Sequence, residues 1–290
     1  MTSVNPYRRL VSELERLTRE AKNYPLGGFL PAPRPEPAAD APRALIFSPH
    51  PDDECIIGGL ALRLQREAAL HVVNVAVTQG SRKDRQAARW HELQSACDYL
   101  GFTLIQTAPG GLERVHIKTR TEDPVHWQSG VAIIAGIIQE QEPEVVFFPH
   151  DADWNSTHIG VHHLVLDALA CQPASFDCSV VETEFWGAMT TPNLMVESSV
   201  DDLSEMITAL SFHAGEVQRN PYHLLVPPWM QDNVRRGGEL VGGQGGAAPD
   251  FTFSTLYRLR RWAEGRLSPA YAGGRIIPAT MNAVRVFDLP

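Results

Sequence analysis

The stretch Ser48-Pro49-His50-Pro51-Asp52-Asp53-Glu54 sets one imidazole among three carboxylates. Much later come Asp153 and His158. His50, Asp53 and His158 are two imidazoles and one carboxylate, a zinc donor set that leaves a fourth position open for water. That is the makeup of a catalytic centre rather than a structural one. His50 and Asp53 stand three apart across a turn, so both can face one ion. Asp52 lies between them, faces another way, and can reach a bound water instead. Zinc lowers the pKa of its water to about 7, and a neighbouring carboxylate can then take the proton. The plainer reading is that Pro-Asp-Asp-Glu before an apolar run simply opens a helix.

These residues need a scaffold that brings distant turns together. Ala44–Phe47 is an apolar run that reads as a buried strand, so 44–49 is a predicted strand and 53–68 a helix. His71–Val77 is the next strand, followed by a helix over 84–100 that stops at Gly101. Thr103–Ile105 is a short strand, 125–141 a helix, Glu144–Phe148 a strand and 158–171 a helix. This rhythm predicts an α/β fold, a Rossmann-like, mostly parallel sheet with helices on both faces. All strand C-ends then lie along one edge, where such sheets bind ligands. Prolines on both sides of His50 stiffen its turn, and Gly58 and Gly59 let the following helix pack closely.

The rest of the chain is less regular. Val4, Tyr7, Leu10, Val11, Leu14 and Leu17 follow a helical spacing, with Asn5-Pro6 as its start. Pro31–Pro37 is proline-rich and extended. Residues 1–42 read as a helix and strap lying across one main domain, 43–290. Val180–Trp186 and Asn193–Val196 read as strands joined through Thr190-Thr191-Pro192, followed by a helix over 201–217. Residues 237–250 are Gly-rich and read as a mobile loop or lid. The end, 251–290, forms a small C-terminal β or irregular extension, in which Arg258, Arg260 and Arg261 read as a solvated helix face.

Composition narrows the function. The chain has 290 residues, 43% of them hydrophobic, enough for a full core. Its net charge of −9, without a long basic run, argues against nucleic acid as a partner. The longest clear apolar run, Val131–Ile138, is too short to span a bilayer. Cys55, Cys97, Cys171 and Cys178 form no C-x-x-C pair and read as small core residues of a reducing compartment. A cytoplasmic location is the expectation.

SPHPDDE, the glycine pair after it and the histidine following the fourth strand together resemble the PIG-L/LmbE-like zinc-dependent N-deacetylases, over about residues 44–217. The resemblance implies an enzyme that removes N-acetyl groups from N-acetylglucosaminyl compounds or cleaves related amides. It implies zinc, or another divalent ion, on His50, Asp53 and His158, and Asp52 as general base. Asn155 stands where the family usually has a histidine that stabilises the tetrahedral intermediate. An amide can donate a hydrogen bond there but cannot supply a proton. Arg89 and Asp153 correspond to groups near the substrate, and His213 to a histidine that supports the site. His150, after the fourth strand, is a further supporting candidate. The family's habit of forming oligomers extends to a homo-oligomer here as an expectation.

Other motifs carry less. His91-Glu92 begins an H-E-x-x-H pattern, but Ser95 stands where its second histidine belongs. His158 and His162 share a helix face, yet His162 has no counterpart in the resemblance. Cys97 has no evident partner base. No G-x-G-x-x-G opens a helix, which counts against a dinucleotide. The alternative from another class is a non-catalytic, sugar-binding member of the same fold, motivated by Asn155.

Overall fold

The computed structural model of the chain describes residues 5–34 and 36–287. Val4, at the head of the predicted first helix, and Pro35, within the proline-rich strap, lie outside them.

The elements run in order as helix α1 (Pro6–Ala21), strand β1 (Arg43–Ser48), α2 (Asp53–Ile56), α3 (Gly59–Ala68), β2 (His71–Ala76), α4 (Lys83–Leu100) and β3 (Thr103–Gln106). Next come α5 (Ile117–Glu122), α6 (Pro124–Gln141), β4 (Val145–Pro149), α7 (Ser156–Leu169), β5 (Cys178–Thr183), β6 (Leu194–Glu197), α8 (Val200–Ser211) and α9 (Ala214–Val217). The chain closes with α10 (Val226–Leu240), β7 (Ser254–Ala263), β8 (Arg266–Pro269) and β9 (Arg275–Ile277). Short 3-10 turns occupy Tyr222–Leu225 and Ala283–Val286.

The main path of the sheet reads β3-β2-β1-β4-β5-β7-β6-β9, with β8 beside β7. The pairs from β3 through β5 are parallel, as predicted. Side chains alternate across a strand, so β1 feeds two cores. Ala44 and Ile46 join Leu60, Leu64 and Leu93 on one face. Leu45 and Phe47 join Val131, Ile134 and Val165 on the other. Strand order reverses between β1 and β4, because β2 and β3 lie to one side of β1 while β4 and β5 lie to the other. That switch point opens a crevice beyond the C-ends of β1 and β4.

Several elements depart from expectation. The predicted helix 53–68 is broken at Ile57-Gly58. Gly58 has φ 91°, and a Cβ there would lie 2.1 Å from Thr255 Oγ1 and 2.5 Å from the Tyr257 hydroxyl. Tyr257 fills the gap: its hydroxyl donates to Ile57 O at 2.5 Å and accepts from Leu60 N at 3.4 Å. β5 and β6 are not adjacent, for β7 pairs antiparallel with both. Arg258, Arg260 and Arg261 therefore stand on a strand. Arg258 and Arg260 both pair with Glu182, a fully buried carboxylate, rather than forming a solvated helix face. The helix expected over 201–217 ends at Ser211 and restarts at Ala214, with His213 at the break. Residues 237–240 belong to α10, and Gly237 packs against Met195 and Leu256. The start of the Gly-rich stretch thus packs against β6 and β7. Cys171 is exposed, while the other three cysteines are buried.

The strap is tied to the body. Gly27 N donates to Ser211 Oγ, and Arg34 donates to Tyr99 O. Helix α1 buries no residue. Among the described residues, no helix is long and apolar enough to cross a membrane.

Candidate metal-dependent active site

The turn after β1 and the loop after β4 meet at the switch point. His50 Nδ1 and His158 Nε2 lie 3.2 Å apart. Asp53 Oδ2 is 3.4 Å from the first and 3.3 Å from the second. Three ligands at about 2.0–2.2 Å around a tetrahedral ion are separated by about this much. Burial opposes charge on Asp53, but His158 and His50 hold its carboxyl far below the usual range. Burial likewise opposes protonation of His158, yet Asp53 and Asp153 outweigh it and raise that imidazole to about 10. Asp53 Oδ1 is buried without a hydrogen-bond partner. A divalent cation answers both the crowding of these donors and the orphaned oxygen, so the residues fit the metal that the sequence implies.

The three residues are held from behind. His50 N donates to Asp53 Oδ2 at 2.8 Å, closing the turn. His158 is in the first turn of α7, and its Nδ1 faces Asp153 Oδ1 at 3.6 Å. A carboxylate behind a metal-ligating imidazole orients the ring and raises its basicity. Asp153, expected at the substrate, is instead buried there. Its oxygens accept from Asn155 N at 2.7 Å and from Trp186 N and Gly187 N at 3.2 Å each. Asn155 caps α7, with Oδ1 accepting from Thr157 N at 2.8 Å. Its amide nitrogen is the part left for other work. His150 pins the same loop through Gly187 O at 2.8 Å. His162 is turned away and bonds Pro149 O at 2.9 Å.

Asp52 sits beside the cluster with φ 113°, a left-handed conformation that costs a non-glycine residue energy. Glu54 holds it there: Asp52 N donates to Glu54 Oε2 at 2.9 Å, and His213 Nε2 bonds Glu54 Oε1 at 2.7 Å. His213 is fully buried, and burial would lower its pKa, but Glu54 raises it. His213, expected to support the site, thus meets Glu54, whose place there was not evident from the motif. Burial and the adjacent Asp53 push Asp52 up to about 6, against the opposing pull of His213, Arg89 and Tyr222. Arg89 donates to Pro51 O at 2.8 Å and lies 3.5 Å from Asp52 Oδ2. It braces the turn.

Tyr222 was missed entirely. Its hydroxyl donates to Asp52 Oδ2 at 2.6 Å. It lies far from the motif in sequence, and no local pattern marks it. The connecting segments 106–124 and 218–250 carry α5, the 3-10 turn Tyr222–Leu225 and α10.

Two cavities flank the cluster. One, of about 360 Å³, is lined mostly by residues with polar side chains, His50, Ser81, Lys83, Gln86, Arg114 and Thr157 among them. The other, of about 310 Å³, is walled largely by Phe185, Trp186, Tyr222, Leu225, Val226 and Trp229.

Residues 45–169 match the model of a protein family described as PIG-L, GlcNAc-PI de-N-acetylase. No curated protein matches the chain. Among solved structures, the fold is similar to N,N'-diacetylchitobiose deacetylase from Pyrococcus horikoshii, at 15% identity and TM-score 0.55, covering 89% of this chain and 94% of that one. It is similar to the A40926 pseudoaglycone deacetylase at 14% identity and TM-score 0.55, covering 78% and 99%. It is also similar to GalB, the 4-carboxy-2-hydroxymuconate hydratase of Pseudomonas putida KT2440, at 17% identity and TM-score 0.55, covering 75% and 95%. At these identities the likeness establishes the fold, and the hydratase illustrates that one fold hosts more than one chemistry.

Proposed function

We propose, from the match of residues 45–169 to the PIG-L family model, that the chain is a metal-dependent amide hydrolase that removes an N-acetyl group from an amino sugar or a related amide. The observation that carries this reading is the mutual approach of His50, Asp53 and His158, with Asp52 beside them. Those three residues would hold zinc, which when bound supplies Lewis acidity and lowers the pKa of water to about 7.

The remaining chemistry belongs to the chain. Asp52 takes the proton of the attacking water and passes it to the departing amine nitrogen. Tyr222 and Arg89 fix the carboxylate that does this, so its orientation is set before substrate arrives. The Asn155 amide nitrogen donates to the oxygen of the former carbonyl as negative charge develops there. Polyhydroxylated amine portions suit the polar-lined cavity, where Ser81, Lys83, Gln86 and Arg114 offer hydrogen-bonding groups.

The test is metal analysis of the purified protein together with release of free amine from N-acetylglucosamine derivatives. Near-stoichiometric zinc and chelator-sensitive amine release are expected. Asp52→Asn should retain metal and lose about 10²–10⁴-fold in kcat. Full activity in Asp52→Asn would remove Asp52 from this role. Asn155 favours one rival, a non-catalytic sugar binder. Sugar binding by a metal-free, folded protein without amine release would establish that rival.

A further inference from the structure

Resting on the amide-hydrolase reading, we propose that the apolar cavity binds the acyl half of the substrate and that the preferred acyl group is longer than acetyl. The cavity abuts the reacting centre at two points. Phe185 stands edge-on to His158, with ring centroids 4.8 Å apart. Tyr222, bonded to Asp52, packs against Trp186 with centroids 5.5 Å apart. The polar-lined cavity touches the same centre from its own side, through His50 and Thr157. An amide placed between the two has a polar region on one side and an aromatic one on the other.

Size and chemistry both point to an alkyl occupant. The cavity holds about 310 Å³. That is room for roughly ten groups the size of a water or a methyl, whereas acetyl supplies one methyl. The hydroxyl and charged groups on its wall are already engaged. Tyr222 bonds Asp52, Arg236 bonds Glu184 and Asn233, and Asp232 bonds Arg235. A sugar there would find few directed partners, while an alkyl chain needs none. Trp229 and Val226 line the wall, and Leu225 remains 57% exposed at the mouth. Each methylene moved from water into such a site is worth about a fourfold gain in binding.

The reaction balances as a hydrolysis. The acyl C–N bond breaks, a bond forms from the acyl carbon to the water oxygen, and the water proton ends on the amine nitrogen. The products are a fatty acid and a free amine.

The experiment compares N-acetyl-, N-butanoyl- and N-octanoylglucosamine by amine release from the metal-loaded enzyme. In parallel, tryptophan fluorescence is titrated with sodium octanoate and with sodium acetate. The expected result is a kcat/KM about tenfold or more higher for the octanoyl substrate, with emission shifted by octanoate at concentrations where acetate does nothing. Leu225→Asp, at an exposed position, should lower the octanoyl-to-acetyl ratio about tenfold. Equal or better hydrolysis of the acetyl compound would overturn the proposal and leave the hydrolase reading standing. Hydrolysis of none of the three would instead defeat the hydrolase reading. The titration then judges the cavity by itself: binding of octanoate supports an alkyl site, and no binding overturns it.

Discussion

The Tyr222 hydroxyl donates to Asp52 Oδ2 at 2.6 Å across 170 residues of sequence. Burial and the Asp52 charge both push the phenol well above its ordinary pKa, so Tyr222 stays a hydrogen-bond donor. Tyr222→Phe removes that bond and little volume. A hydrogen bond to a charged group is worth about 1.5–3 kcal/mol, so kcat should fall about 10- to 100-fold with metal content unchanged. Steady-state kinetics and metal analysis on the same preparation check this. Unchanged kcat would show that Asp52 needs no such anchor.

His213→Ala should act through Glu54. It leaves the buried Glu54 carboxylate without its 2.7 Å partner. Breaking one half of a buried charged pair costs about 3–5 kcal/mol, which urea unfolding would read. The Glu54 clamp on the strained Asp52 backbone loosens as well, so kcat should fall alongside stability. His213→Gln, which can still donate to Glu54, should recover part of both. Equal loss in the two variants would show that the ring's shape matters more than its bond.

His162 carries a pH signature. It is 3% exposed, and burial lowers its pKa to about 4 from an ordinary 6.5, despite the nearby Glu182. The unfolded chain takes up a proton near 6.5, and the folded chain does not until about 4. This residue's contribution is therefore complete above pH 6.5 and is lost as pH falls through the window down to about 4. At one pKa unit per 1.36 kcal/mol, the loss reaches about 3 kcal/mol. His162→Asn keeps a donor toward Pro149 O and cannot titrate. Its urea midpoint should vary less between pH 7 and 5 than that of the parent, and an identical slope would refute the assignment.

Gly58→Ala tests the broken helix. The substitution meets a φ of 91° and the Thr255 and Tyr257 side chains together. Overpacking and backbone strain each cost about 1–3 kcal/mol. Thermal unfolding should show a clear drop in Tm. Gly28, also at positive φ but with open space around it, provides a control that tests backbone strain alone.

The sequence alone determined the parallel part of the sheet and singled out His50, Asp53 and His158, which the structure brings together. Strands 44–49 and 144–148 were legible because a strand buried on both faces is written as a continuous apolar run. His50, Asp53 and His158 were legible because a turn places them at strand ends, and strand ends of a parallel sheet share one edge. Local signals of that kind end where partners come from afar. The break at Gly58 depends on Tyr257, and the pairing of Arg258 and Arg260 depends on Glu182 in the neighbouring strand. Tyr222, Glu54 and the apolar cavity likewise became visible only in three dimensions. No residue near Tyr222 in sequence says that its hydroxyl meets Asp52; that meeting follows from how α8 and the segment after it pack over the switch point. Periodicity encodes which face of an element is buried, and tertiary packing decides against what.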